Sequence, residues 1–358
     1  MKVNRTSSIP PSLTGEIGKP LIRRLQHLSY SKEGTKEIHS WVNKSRFAQE
    51  VFEGLSSEKK YIPMKWVYDA KGSKIFEAMT KDKDYYLTRS EDDIFQNQSE
   101  KIMDLVPEDK EGISLIELGP GDGHKTEFLI EKLLDSGRKF QYVPIEISRS
   151  AVTELTERLS KKFPRLKVEP APGDYFKELE KRDPNKRNFV LFLGGTLGNY
   201  MKRHRKEFLK QLKASLKSGD RVLIGFDLRP NEDKSFDAMW AAYNSKVVDA
   251  FDKNYLIRIN KELGGQFDLS KFKHYRNYDE PSGGMERYLE STEDQSVYIK
   301  ALSQRFEFKK NERIYLGQSV KFSKEEISQL AKDNGFKVVG TLKDSKGYFV
   351  DSVWELEP

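Results

Sequence analysis

The chain has 358 residues, 36% hydrophobic and 33% charged, which suits one large domain or two ordinary ones; with 21 Phe, 16 Tyr and 4 Trp it carries too much aromatic bulk for a disordered chain. It contains no Cys, which excludes disulfides, thiolate metal ligands and a cysteine nucleophile. Of the net charge of +7, residues 1–50 hold nine Lys/Arg against four Asp/Glu, so the rest is nearly neutral and offers no broad polyanion-binding surface.

Residues 1–20, rich in Ser, Pro, Thr and Gly, read as a flexible basic extension. They lack the apolar centre of a signal peptide, and no apolar run nears the roughly 20 residues needed to span a bilayer, so a cytoplasmic protein without membrane contact is expected. Ile38, Trp41, Val42, Phe47, Val51 and Phe52 recur at helical steps and predict a helix over 36–55; a second is expected over 72–80. From about residue 100 the pattern alternates. Strands are predicted at 113–118, 142–147, 166–168, 188–193 and 221–227, separated by helices at 126–134, 149–162 and 203–217. Such alternation argues for an α/β fold with a parallel sheet, because parallel neighbours need long crossovers. The order breaks at Leu228-Arg229-Pro230. Helical stretches over 235–260 and alternating segments at 286–289, 297–302 and 305–308 read as an insertion. A helix at 324–334 and strands at 337–342 and 348–355 close the chain, and the short link between those strands suits an antiparallel hairpin.

The sharpest local signal is Ile116-Glu117-Leu118-Gly119-Pro120-Gly121-Asp122-Gly123. A Gly-rich turn at the carboxyl end of a first strand lets the backbone approach a ligand closely. Glu146 ends the next strand, where a carboxylate can accept both hydroxyls of a ribose; Asp174 follows the third strand and can receive an adenine amino group. The glycines at 119, 121 and 123 do not make the dinucleotide pattern G-x-G-x-x-G. The set Glu117, Gly119, Gly121, Glu146 and Asp174 instead resembles the S-adenosylmethionine (SAM) site of class I methyltransferases.

Three further stretches narrow the resemblance. They are Lys65-Trp66-Val67-Tyr68-Asp69-Ala70-Lys71-Gly72-Ser73 continuing to Tyr85–Glu91, then Phe192-Leu193-Gly194-Gly195-Thr196-Leu197-Gly198-Asn199, then Ala241-Ala242-Tyr243 followed by Phe251-Asp252-Lys253-Asn254. Together they resemble the histidine-specific, SAM-dependent methyltransferases, the group that contains the histidine Nα-methylating enzyme of ergothioneine biosynthesis. The likeness runs from about 45 to 355. It implies a Rossmann-like class I methyltransferase sheet (96–228 plus 321–358) that binds SAM and yields S-adenosylhomocysteine. It also implies an inserted substrate-binding domain (21–95 plus 229–320). By the same resemblance Tyr68 and Asn199 are catalytic, and Tyr85, Asn199, Tyr243, Arg287, Gly317 and Ser319 contact an amino-acid substrate. Cofactor contacts fall on Tyr68, Glu117, Gly119, Gly121, Lys125, Glu146, Asp174 and Gly194. The family's usual Asp at the second-strand position is Glu146 here.

Two pocket positions depart from the family. In Leu316-Gly317-Gln318-Ser319-Val320-Lys321-Phe322, Gly317 stands where the family has an imidazole-binding Glu; in Met285-Glu286-Arg287-Tyr288, Arg287 falls on a position that is usually Met. Arg287 either faces solvent or offers a bidentate contact to an anionic side chain, and Gln318 is a candidate to turn inward in place of the lost acid. N-methylation of an amino acid is therefore expected, on histidine by family likeness or on an aromatic or acidic amino acid by these departures. From another class, the basic N-terminus and Lys202–Lys206 would suit a nucleic-acid-modifying protein. Gly198-Asn199-Tyr200-Met201 lacks the prolines of the Asn/Asp-Pro-Pro-aromatic motif that grips a flipped base, so nucleic acid is not the expected partner. The five His show no paired spacing and no metal is expected. A monomer acting on a small molecule completes the expectation.

Overall fold

The computed structural model describes residues 32–357, with side chains from residue 44 onward. The basic extension at 1–20 and the side chains of Ile38, Trp41 and Val42 lie outside the described residues. A long helix, Lys32–Ser56, and a shorter one, Ala70–Thr80, precede the sheet as expected. Between them and the first strand stands a helix that sequence periodicity did not reveal, Tyr86–Asp104. Its inward face carries Ser90, Glu91 and Ser99 beside Ile94 and Phe95, and this polar admixture blurs the apolar stripe.

The first five strands are β1 (Ile113–Leu118), β2 (Phe140–Glu146), β3 (Ala171–Pro172), β4 (Arg187–Phe192) and β5 (Arg221–Asp227). β1 and β5 coincide with their predicted spans, as does the crossover helix Arg149–Lys162. The third strand does not. It lies at 171–172, not 166–168, where Leu166 packs in the core and Val168 makes a single bridge to Tyr142. The helix after β4 is Lys202–Ala214, and its basic start is exposed at Lys202, Arg203, His204 and Lys206. Arg205 alone folds back, stacking its guanidinium 4.8 Å from the Phe322 ring.

The insertion breaks the expected 235–260 helical stretch in two, Phe236–Ala242 and Lys246–Leu263, with Tyr243 at the break and Ser245 capping the second. Then come β6 (Phe272–Asp279), β7 (Gly284–Ser291), β8 (Gln295–Ile299), β9 (Gln304–Phe308) and β10 (Arg313–Val320). β10, β7 and β6 form an antiparallel sheet in that order, and β8 and β9 form a separate hairpin. The helix Lys324–Asp333, fixed by a Ser323/Glu326 capping box, leads into β11 (Phe336–Lys343) and β12 (Phe349–Leu356).

The main sheet runs β11-β12-β5-β4-β1-β2-β3, with β12 antiparallel to both neighbours and the rest of the β1–β5 ladder parallel. Alternate residues feed two cores. Ile116, Val143, Val190, Val222 and Trp354 face the Lys202–Ala214 and Lys324–Asp333 helices, while Leu115, Tyr142, Phe189, Leu223 and Val353 face the three helices on the other side. The strand order reverses between β1 and β4, and in open α/β sheets a crevice outside the carboxyl ends of the strands opens at that point. A third core, around Phe47, Val67, Phe251, Tyr255, Phe272 and Leu316, unites the N-terminal segment with the insertion. Among the described residues no helix is long and apolar enough to cross a membrane.

Candidate active site

The Gly-rich turn begins where β1 ends. Gly119, Gly121 and Gly123 all have positive φ (69°, 60° and 67°), a backbone course that disfavours side chains. The Gly119 amide donates to the Ile145 carbonyl at 2.9 Å, tying the turn to the end of β2. A methyl at Gly119 would lie 2.5 Å from the Tyr175 hydroxyl, whereas Gly121 opens onto empty space. Glu146 sits half-buried at the tip of β2, one carboxylate oxygen accepting from the Ser148 amide at 3.0 Å. Ile147, next to it, is 78% exposed, an apolar platform on a polar rim. Asp174 caps the short Tyr175–Leu179 helix through one oxygen. The turn, Glu146 and Asp174 thus stand at the carboxyl ends of β1, β2 and β3, on one edge of the sheet. Glu117 does not join them. Its carboxyl is buried beneath the turn, accepts from Tyr142 at 2.6 Å, and is pushed by burial to about 7 despite that bond. It supports the turn from below.

Lys125 and Gly194 are joined by a residue that sequence reasoning quoted without giving it a role. Glu91, fully buried, accepts from the Gly194 amide with both oxygens (2.8 and 2.9 Å) and pairs with Lys125. Burial opposes the charge on Lys125, but the Glu91 carboxylate outweighs it and raises its pKa. Burial and the same carboxylate push Asp351 well above the usual carboxylate range. Gly225 has no side chain where Glu91 passes, so the helix Tyr86–Asp104 can send a carboxylate to the tips of β4 and β5.

The second group of residues converges from five segments. Asp69 caps the Ala70–Thr80 helix at the Gly72 amide (2.7 Å) and receives Asn254 at 2.8 Å, which fixes the turn carrying Tyr68. The Tyr68 ring packs edge-on against Phe76 and Phe251 (5.7 and 5.6 Å), yet 44% of the residue is exposed. Tyr85 is buried with its ring 6.5 Å from that of Tyr243. Lys321 donates to the Tyr243 hydroxyl at 2.6 Å and to Ser319 at 2.8 Å, and these two hydroxyls lie 3.0 Å apart. Lys321 is itself held by Asp227, which also accepts from Tyr86 and Lys234. Asn199 closes a one-turn helix, Thr196–Asn199, pressed against β10 because Gly198 leaves no side chain over Val320. Burial raises the phenol pKa of Tyr68, Tyr85 and Tyr243 alike, so at neutral pH all three are neutral donors.

Arg287 does not point to solvent. It is buried, its guanidinium lies 5.6 Å from the Phe251 ring, and one nitrogen donates to Asp252 at 3.0 Å. Gly317 stands directly across from it in the β10–β7 ladder, so the two departures from the family pattern are neighbours. Gly317 has φ of 134° beside a bulge between Tyr315 and Gly317. Gln318 does not replace the missing acid; its amide donates to the Tyr200 carbonyl at 3.2 Å. Besides Glu91, sequence reasoning passed over Ile147, Tyr175, Asp252 and Lys321. Glu91 and Asp252 both lie in stretches quoted above for their resemblance, which was the signal available.

A model of the histidine-specific, SAM-dependent methyltransferases matches residues 47–356. The chain belongs to that family. A histidine N-alpha-methyltransferase of Mycolicibacterium smegmatis is 30% identical over 84% of this chain and 92% of its own length. The ergothioneine biosynthesis protein 1 of Schizosaccharomyces pombe is 27% identical over 82% of this chain and 39% of its own. An L-tryptophan methyltransferase of Psilocybe serbica is 24% identical over 84% and 90%. The protein is thus a SAM-dependent N-methyltransferase on a class I sheet, and the family extends beyond histidine methylation.

Proposed function

We propose that this methyltransferase acts on the α-amino nitrogen of a free amino acid. The observation that carries the reading is the convergence of Tyr68, Tyr85, Tyr243 and Ser319, all neutral donors, on the insertion side of the crevice. When bound, SAM supplies a methyl group activated by its sulfonium and leaves as S-adenosylhomocysteine. Gly119 and Gly121 give it backbone clearance, Glu146 suits the ribose hydroxyls, Ile147 one face of the adenine and Asp174 its amino group. The main-sheet portion is accordingly the cofactor domain (about 86–228 plus 321–358, since the Tyr86–Asp104 helix packs Ile94, Phe95 and Ile102 into its core, which moves the expected boundary at 95), and the segment up to 85 plus 229–320 the substrate domain.

Ser319 holds the α-carboxylate, with Tyr243 behind it. Both hydroxyls accept from Lys321 and Tyr243 donates its hydrogen to Ser319, so the Ser319 hydrogen remains available to an anion. Tyr85 closes that end, and Tyr68 with Asn199 orients the amine. Phenols and an amide do this without a full negative charge beside the sulfonium, and holding the nitrogen in line supplies several kcal/mol of barrier lowering. The raised phenol pKa values make Tyr68 a relay of the departing ammonium proton, not its final acceptor. Histidine is disfavoured relative to the family, because Gly317 offers no acceptor for an imidazole N–H.

The test is a panel of free amino acids incubated with methyl-labelled SAM and read by mass spectrometry. At least one should gain label at the α-nitrogen, and Asn199→Ala should lower that turnover by roughly a hundredfold through misplacement of the amine. Label on no amino acid, or on RNA or DNA in its place, would refute the reading.

A further inference from the structure

The antiparallel sheet of the insertion carries an unusual row. Arg276 of β6 stands opposite Arg287 of β7, which stands opposite Gly317 of β10. Like charges directly across a ladder repel, and here both guanidinium groups are buried. One carboxylate serves the pair. Asp252 binds Arg276 through one oxygen and Arg287 through the other. Asp249, which also acts on Arg276, already lies between Lys253 (3.2 Å) and His274 (3.5 Å). The cluster therefore holds two cations against one anion. A buried net charge costs several kcal/mol unless a counter-ion joins it.

The two arginines are not equivalent. All three nitrogens of Arg276 are engaged, by the carbonyls of Tyr243 and Tyr275 and by Asp252. Arg287 bonds Asp252 and the Tyr255 phenol and otherwise lies among the Phe251, Tyr68 and Tyr243 rings. Those rings are neutral, so none supplies the missing charge. Gly317 sets no side chain against Arg287, Met64 packs within 3.3 Å of where its Cβ would sit, and Tyr68 nearby remains partly exposed.

We propose that the substrate is an amino acid whose side chain bears a carboxylate, received by Arg287. The planar guanidinium is suited to such a group, and Asp252 and the β6 arginine hold it in place. This rests on the α-amino methylation proposed above, with Ser319 and Tyr85 receiving the substrate's other carboxylate. One end of the substrate is thus read by hydroxyls and the other by a cation.

Glutamate against glutamine, and aspartate against asparagine, isolate the charge at nearly constant shape. With labelled SAM, the acids should be methylated with kcat/KM roughly ten- to a hundredfold above their amides, the range expected for a hydrogen-bonded charge. Arg287→Met should abolish that ratio by lowering turnover of the acids alone. Because that variant leaves Asp252 with one partner fewer, calorimetry on the unaltered enzyme with S-adenosylhomocysteine present provides a second reading, in which glutamate should bind at least tenfold tighter than glutamine. Methylation of amino acids without preference for the acids would overturn the inference and leave the α-amino reading standing. An equal loss of every substrate in Arg287→Met would also overturn it, by assigning Arg287 to the α-carboxylate. Failure to methylate any amino acid would instead remove the reading on which it rests.

Discussion

The two walls of the crevice are built by different rules. On the sheet side, one contiguous stretch, Gly119–Gly123 at the end of β1, makes the turn, and its three positive-φ glycines set its path. On the insertion side, Tyr68, Tyr85, Tyr243, Arg287 and Ser319 come from segments up to 251 residues apart and are held by buried ions: Asp227 under two lysines, Asp252 under two arginines. A local backbone code tolerates change elsewhere in the protein. A non-local code of buried charges fails wherever one member is lost, and it is also the part that can be retuned for a new substrate.

The sharpest way to break this comparison is Asp252→Ala. Removing the shared carboxylate leaves Arg276 and Arg287 face to face in the core, and should cost about 3–5 kcal/mol of stability, read from chemical denaturation. A loss below 1 kcal/mol would mean that the insertion wall does not depend on that ion. Next is the pH response of the sheet side. Glu117 has a folded pKa raised from 4.5 to about 7, so the folded state keeps its proton where the unfolded chain releases it. Its contribution to stability therefore falls as pH rises from about 4.5 to 7 and stays level above that, by at most ~3 kcal/mol. Glu117→Gln should flatten that slope; an unchanged slope would place the titration elsewhere. The smallest effect is expected from Gly119→Ala. Its positive φ and the approach to Tyr175 should weaken SAM binding about tenfold, or ~1.4 kcal/mol, by calorimetry, with little change in the KM of the amino acid. A larger effect on the amino acid than on SAM would mean that the walls do not divide the two ligands.

Legibility followed the same division. β1, β5 and the Arg149–Lys162 helix were readable because continuous apolar runs or a clean helical stripe end at Gly, Asp or Ser. β6 was missed because Lys273, His274, Arg276 and Asn277 break the alternation, two of them drawn inward by Tyr243, Asp249 and Asp252. The Tyr86–Asp104 helix was missed for a related reason: Glu91 on its buried face is neutralised by Lys125, and sequence alone cannot show that partner. At the site, the turn and the tip of β2 could be named from spacing, while Gly194 at the tip of β4 came with the family likeness. The same likeness named Arg287 and Gly317 as pocket positions, but not their pairing across the ladder, and the inward turn of Arg287 depended on Asp252, 35 residues earlier in the chain.

The bulge before Gly317 limits what can be substituted there. Leu316 is the extra residue in β10, and the glycine beyond it takes a conformation that L-amino acids rarely adopt, with Met64 close to where a Cβ would sit. An acid placed there would carry the strain of that backbone and would press on the Met64 side chain, so this position of the insertion wall resists any L side chain unless the strand sheds its bulge.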